Sequence, residues 1–175
     1  MYEDPAWEEF LSTGIDPTGG EIEEDGWETY EKQPVHIHNY NEIVLSGGNP
    51  RVLKMALEKI SGVYKTTMGF VNGFINNPTY SVVRTQQTGY AECVRVFYDP
   101  LEISLHDLLI RYFGIINFRD STLQNGGIGN RRNSISCVCD EEYDVAKKVF
   151  REMQKIHKCV ISVEVTTIFS YWDAE

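Results

Sequence analysis

Hydrophobic residues fall into a regular pattern from Val35 onward, and the first element they predict is a short buried strand at Ile43-Val44-Leu45. Ser46-Gly47-Gly48 ends this strand. Asn49 and Pro50 then predict the start of a helix, because Asn is a preferred N-cap and Pro suits the first helical position. The apolar residues of this helix share one face at the 3.6-residue period, and they are Val52, Leu53, Ala56, Leu57 and Ile60.

The rest of the pattern alternates strands with amphipathic helices. Strands are predicted at 63–71, 90–98, 134–138 and 160–167, and helices at 104–116 and 140–156. Ser104 and Asp140 are the predicted caps of these two helices. In the strand 90–98, Glu92 lies on the same face as Val94, whereas Cys93 lies on the opposite face. This order of elements predicts a two-layer α/β sandwich with a mixed sheet.

Charge is distributed unevenly over the 175 residues, whose formal net charge is −10. Residues 1–32 hold 11 acidic side chains and a single basic one, Lys32, so residues 33–175 hold 15 of each. We therefore interpret 1–32 as an acidic N-terminal arm, which a protein partner could bind, and 33–175 as one domain. The neutral domain argues against a nucleic-acid binder, and no apolar run reaches the roughly 20 residues that cross a bilayer, so we expect no membrane contact.

The N-terminus lacks the features of a secretory signal, which favours a cytoplasmic protein. Four cysteines in a chain of this size do not form a disulfide scaffold, and we expect reduced thiols. Cys137 and Cys139 could pair or bind metal, but small buried side chains are the favoured interpretation. His36 and His38 share a strand face without a third ligand nearby, so we expect no metal and no other cofactor.

One segment carries a family resemblance. The run Thr88-Gly89-Tyr90-Ala91-Glu92-Cys93-Val94-Arg95-Val96-Phe97-Tyr98-Asp99-Pro100 resembles T-G-H-A-E-x-V-x-V-x-Y-D-P of the A-type peptide methionine sulfoxide reductases. Asn77-Pro78-Thr79-Tyr80 before it, and Trp172 with Ala174-Glu175 after it, match in order. The resemblance covers residues 43–175, and it implies an α+β fold with a ferredoxin-like mixed sheet core.

The same resemblance implies that the chemistry of that family has changed. Where the family reads G-C-F-W, this chain has Gly48-Asn49-Pro50-Arg51, so Asn49 stands at the position of the nucleophilic cysteine. Pro50 and Arg51 replace the aromatic pair that surrounds the substrate methyl group. In a later loop, Gly127 replaces an aspartate and Arg132 replaces a tyrosine. An amide is neither a nucleophile nor redox-active, so the thiol mechanism is expected to be absent.

Two pocket residues of the family remain, Tyr80 and Glu92. Glu92 is either a perturbed pocket acid or the partner of an arginine, with Arg51 and Arg132 both plausible. Tyr80 is either a pocket hydrogen-bond donor or a core tyrosine. The two arginines and the glycine-rich helix start favour an anionic ligand or an acidic peptide in the former sulfoxide pocket.

The sequence therefore predicts a divergent, non-catalytic relative of the methionine sulfoxide reductases that acts by binding a ligand or a protein. The alternative is an enzyme, which would reduce methionine sulfoxide with an unidentified thiol or perform another reaction with Tyr80 and Glu92.

Overall fold

The computed structural model describes residues 39–119 and 129–174, which belong to the unit His38–Glu175. The acidic arm and Gly127 lie outside the described residues. The strands are β1 (Asn41–Ser46), β2 (Val63–Val71), β3 (Ala91–Tyr98), β4 (Ser134–Cys137), β5 (Glu164–Thr167) and β6 (Tyr171–Asp173). The helices are α1 (Pro50–Leu57), α2 (Tyr80–Val83), α3 (Leu105–Ile115) and α4 (Asp140–His157).

The six strands form one mixed sheet in the order β5-β4-β1-β3-β2-β6. Its four central strands follow the chain order β1-α1-β2-α2-β3-α3-β4 and pair antiparallel throughout, which, apart from the short α2, is the ferredoxin-like arrangement. After α4, β5 adds to β4 in parallel, and β6 adds to the other edge beside β2 in antiparallel orientation. The predicted α+β fold with a mixed, ferredoxin-like sheet is confirmed.

Helices α1, α3 and α4 cover one face of the sheet. The main core lies between them and includes Ile43, Val94 and Val96 of the central strands, Leu53 of α1 and Tyr112 of α3. The other face, called the helix-free face below, has a smaller apolar cluster of Val44, Val71, Ala91 and Cys93. Because side chains alternate along β3, Glu92 and Cys93 lie on opposite faces of the sheet, as predicted.

The local signals for α1 and α3 agree with the structure. Asn49 is the N-cap of α1, and Pro50 is its first residue. The Ser104 hydroxyl caps α3 by accepting the Asp107 N–H at 3.1 Å. For α4 the predicted cap was wrong: Cys139 is the N-cap, and Asp140 is the first helical residue. Asp140 still favours the helix from there, since acidic side chains in the first turn interact well with the helix dipole.

Three further features differ from the predicted elements. Residues 160–163 precede β5 and are not a strand; the N–H of Ser162 donates to the carbonyl of Phe118 instead. The helix α2 and the strand β6 were not predicted, because four and three residues are too few to show a period. In the part of the chain that the structure describes, no helix combines the length and the apolarity needed to cross a membrane.

Candidate functional site

A cavity of about 800 Å³ opens where α1 begins, on the helix-covered face of the sheet. It is bounded by the first residues of α1, the ends of β2 and β3, the loop that leads into α2, and β6. Its lining residues are Asn49, Pro50, Arg51, Met68, Gly69, Phe70, Asn77, Pro78, Thr79, Tyr80, Glu92, Arg131, Trp172, Asp173 and Ala174. Five of the seven sequence-predicted site residues therefore lie around one cavity: Asn49, Pro50, Arg51, Tyr80 and Glu92.

Asn49 reaches this cavity from the turn between β1 and α1. Its side-chain oxygen accepts the backbone N–H of Arg51 at 3.0 Å, so the amide serves as the helix cap. Among the described residues that line the cavity, none is a cysteine. At the position expected for the nucleophile, the start of α1 therefore has the neutral amide of Asn49, which is already hydrogen-bonded to the backbone.

Glu92 is the charged group that the fold buries deepest in this cavity, with only 3% of its surface exposed. Its Oε1 accepts a hydrogen bond of 2.5 Å from the Asn130 side chain, and its Oε2 lies 4.0 Å from Nε of Arg131. The backbone N–H of Glu92 also donates to the Asn130 carbonyl at 2.6 Å. Glu92 is thus a buried acid in the cavity, and the arginine beside it is Arg131. Neither of the predicted partners, Arg51 and Arg132, forms an ion pair with it in the described part of the chain.

Tyr80 lines the cavity mouth and is 52% exposed, so it is a pocket residue and not a core tyrosine. It is the first residue of α2, and the guanidinium of Arg84 lies 5.7 Å from the centre of its ring. A phenol in this position is accessible to a ligand in the cavity.

Arg132 lies in a different place from the one expected. Its Nε donates to Glu164 at 3.1 Å and its Nη2 to the Gly89 carbonyl at 3.0 Å, and it lines another cavity on the helix-free face. Its neighbour Arg131 faces the first cavity instead. The prediction of Arg132 as a pocket residue is thus corrected. Arg131 lies in a turn that the Arg132 N–H closes by donating to the Gly129 carbonyl at 3.1 Å, and the sequence did not show on which side of this turn each arginine would lie.

Backbone N–H groups at the helix start are less available to an anion than the sequence suggested. The N–H of Gly48 donates to the Arg131 carbonyl at 3.2 Å, and that of Arg51 is taken by Asn49. Pro50 has no N–H. Anion recognition in this cavity would therefore depend mainly on the side chains of Arg51 and Arg131.

Two of the described thiols, Cys93 and Cys137, do not serve this cavity. Cys93 is fully buried on the helix-free face, and burial raises its pKa far above the ordinary value. Burial also raises the pKa of Cys137 to about 12. The thiolate is the nucleophilic form of cysteine, and a raised pKa disfavours that form in both side chains.

Sequence reasoning missed Asn130, Arg131 and Trp172 as site residues. Trp172 reaches the cavity because β6 pairs with β2, where it stands opposite Phe70. Asn130 and Arg131 enter because the segment before β4 passes beside the start of β3. Trp172, Asn130 and Arg131 all reach the cavity through pairings between segments that are distant in the sequence. Only Arg131 had a sequence signal, because it is adjacent to the predicted Arg132.

These features define a class of protein: an α+β sandwich with a cavity at the N-terminus of the helix after the first strand, next to a buried glutamate. The family model described as peptide methionine sulfoxide reductase matches residues 41–175. The chain belongs to the peptide methionine sulfoxide reductase family.

Individual relatives agree with this assignment. A peptide methionine sulfoxide reductase MsrA from Alkaliphilus metalliredigens is 34% identical over 135 residues, which are 77% of this chain and 85% of the relative. A peptide methionine sulfoxide reductase from Brassica napus is 33% identical over 123 residues. These are 70% of this chain but only 48% of the plant protein, so the match spans about half of that relative.

Solved structures show the same fold. Methionine sulfoxide reductase A of Corynebacterium diphtheriae superposes with a TM-score of 0.68 at 21% identity, over 78% of this chain and 70% of the other. Mxr1 of Saccharomyces cerevisiae in its reduced form gives 0.65 at 21% identity, over 78% and 80%. At this identity the comparison establishes architecture, not activity.

Proposed function

We propose that this chain is a non-catalytic member of the peptide methionine sulfoxide reductase family, which acts by binding and does not reduce methionine sulfoxide through a thiol. The observation that carries the proposal is Asn49 at the start of α1, where its side chain caps the helix inside the cavity. An amide neither attacks a sulfoxide sulfur nor carries electrons.

The placement of the other thiols supports this proposal. Cys93 follows Glu92 directly, but it is buried among apolar side chains on the other face of the sheet. Cys139 is exposed at the start of α4, and it does not line the cavity. A substitute nucleophile would have to act from outside the described lining.

The reductase assay with dithiothreitol and a methionine sulfoxide peptide tests the proposal directly. We expect no turnover from the native chain. The triple variant Asn49→Cys, Pro50→Phe, Arg51→Trp is the matched comparison, because it restores the family residues at three adjacent positions. Turnover by the native chain, or thiol loss after incubation with the sulfoxide, would refute the proposal. Native turnover that Glu92→Gln abolishes would instead support the alternative enzyme.

For the ligand, we keep a small anion or an acidic peptide as the proposal, held by Arg51 and Arg131. Both guanidinium groups line the cavity, and guanidinium groups bind carboxylates and phosphates with paired hydrogen bonds. Titration calorimetry with phosphate and an acidic peptide, repeated on Arg51→Ala, would test this. If neither titration of the native chain released or absorbed heat, the proposed anionic ligand would be refuted. The proposal that the chain is not a reductase would be unaffected, because the reductase assay tests it separately.

The acidic arm is the second proposed contact, this time with a protein partner. Its 11 acidic residues lie in the first 32 positions, ahead of the family match. Deleting residues 1–32 and repeating a pull-down with the full chain as control would show whether the arm is needed for partner binding.

A further inference from the structure

A second cavity, of about 640 Å³, lies on the helix-free face and shares no lining residue with the first. Glu164 and Thr166 of β5 line this cavity. Val165 between them packs against the main core, so its two neighbours point to the opposite, helix-free face. The described lining residues are Asn72, Phe74, Gln86, Gln87, Gly89, Arg132, Glu164, Thr166 and Phe169.

Two aromatic rings stand at this cavity with most of their surface in solvent. Phe74 is 81% exposed and Phe169 is 65% exposed. Their ring centres are 6.4 Å apart and their planes differ by 24°, so the two rings form a loosely stacked, nearly parallel pair. Exposed apolar surface of this kind marks interaction sites when it is held in place and bordered by polar groups.

Buried polar groups hold the backbone that carries both rings. The Asn72 side chain donates to the Thr167 carbonyl and accepts the Phe169 N–H, each at 3.0 Å. Asn72 is itself buried and has a φ of +58°, a conformation that few non-glycine residues adopt. The N–H of Phe74 donates to the Thr88 carbonyl at 2.9 Å. The backbone under the two rings is therefore a fixed part of the fold.

The described polar part of the lining carries no net charge. Arg132 is paired with Glu164, and two more of its N–H groups donate to the carbonyls of Gly89 at 3.0 Å and Gly129 at 3.3 Å. The other polar side chains of the lining, including the exposed Gln86 and Gln87, are uncharged. Amide side chains offer both donors and acceptors, which match the N–H and C=O groups of a peptide.

We propose that this second cavity binds an uncharged peptide segment, which places an aromatic side chain against Phe74 and Phe169 and its backbone amides near Gln86 and Gln87. Charge complementarity selects this occupant: among the lining residues that the structure describes, neither an acidic nor a basic segment finds an unpaired opposite charge. The inference goes beyond the proposed function, because it concerns a cavity that is separate from the one at α1.

N-acetyl-phenylalanine N-methylamide is the probe for this site, and its dissociation constant is measured by ligand-observed NMR titration of the full chain. We expect binding that weakens about tenfold in Phe74→Ala and in Phe169→Ala, because each removes one aromatic contact. N-acetyl-alanine N-methylamide should bind at least about tenfold more weakly than the probe. Tyr64→Ala, which removes an equally accessible ring on β2, is the matched control and should leave binding unchanged.

Several results would overturn the inference. These are absence of probe binding to the native chain, equal affinity in both phenylalanine variants, and tighter binding of the corresponding lysine amide. Dimerisation of the native chain that Phe74→Ala abolishes would assign the surface to a second copy and also contradict it. The triple variant at Asn49, Pro50 and Arg51 should bind the probe normally; loss of binding there would place the probe in the first cavity.

Discussion

The side-chain amide of Asn130 donates a 2.5 Å hydrogen bond to Glu92, and the backbone of the same two residues is joined by a second bond of 2.6 Å. One asparagine from the segment before β4 thus supports a nearly buried carboxylate on β3 through both its side chain and its main chain. Asn130 is the closer support of the Glu92 carboxylate in the cavity wall, because Nε of Arg131 lies 4.0 Å from Oε2 of Glu92.

Replacing Asn130 with alanine should destabilise the domain by about 2 kcal/mol, since a buried carboxylate then loses its closest hydrogen-bond donor. Urea unfolding monitored by circular dichroism measures the change. Gln87→Ala, which removes an exposed amide, is the control and should change stability by less than about 0.5 kcal/mol. An Asn130→Ala variant as stable as the native chain would show that the bond contributes nothing net.

At Asn49, alanine should cost about 1 kcal/mol of unfolding free energy, because α1 loses its side-chain cap. Asn49→Ser and Asn49→Asp should retain most of the stability, since both keep an oxygen that can accept the Arg51 N–H. Thermal and urea unfolding of the three variants separate these cases. Equal losses in all three would mean that the cap bond is not what Asn49 contributes.

Stability should depend on pH through His106 of α3. Its hydrogen bond to Glu152 of α4, at 2.8 Å, is the main cause that raises the pKa of His106, and Asp107 adds to it. A raised folded pKa means that the stabilisation is present below the unfolded value of about 6.5 and is lost as the pH rises through the folded value.

The measurement is the difference in Tm between the native chain and Glu152→Gln. We expect it to be larger at about pH 5.5 than at about pH 8.5. Asp144→Asn, on the same helix and exposed, is the control and should show no such dependence. A difference that grows with pH would contradict the assignment.

Gly89→Ala should destabilise the domain by at least about 1–2 kcal/mol, because its φ is +74° and an added Cβ would lie 2.3 Å from the Phe74 ring. Removing the ring should relieve the steric part alone. The double variant Gly89→Ala, Phe74→Ala should therefore lose less than the sum of the two single losses. Strict additivity in urea unfolding would show that the ring and the glycine are not in contact.

Much of the fold follows from local signals in the sequence. Asn49 with Pro50 and Ser104 with Asp107 mark helix starts by short-range chemistry, and the structure confirms both. The long strands are marked by hydrophobic positions alone. By contrast, β6 has three residues and gains its stability from pairing with β2, which no local pattern reveals.

The candidate site divides in the same way. Matching motifs located Asn49, Tyr80 and Glu92. They did not show that Arg131, and not Arg132, lines the first cavity, because that depends on the direction in which each side chain points beside β3. The second cavity was not predicted, since Phe74 and Phe169 are far apart in the sequence and are brought together by long-range bonds of Asn72 and Gly73 to residues 167–170.

The order of strands also has a consequence for synthesis on the ribosome. The two outermost strands, β5 and β6, come last in chain order among the described strands, although they lie at opposite edges of the sheet. Both edges of the four-stranded centre therefore lack these neighbours until residues 164–173 have been made. Open edges can pair with other chains, so this domain is most exposed to aggregation in the interval between the synthesis of β4 and that of β6, when much of its core can already form.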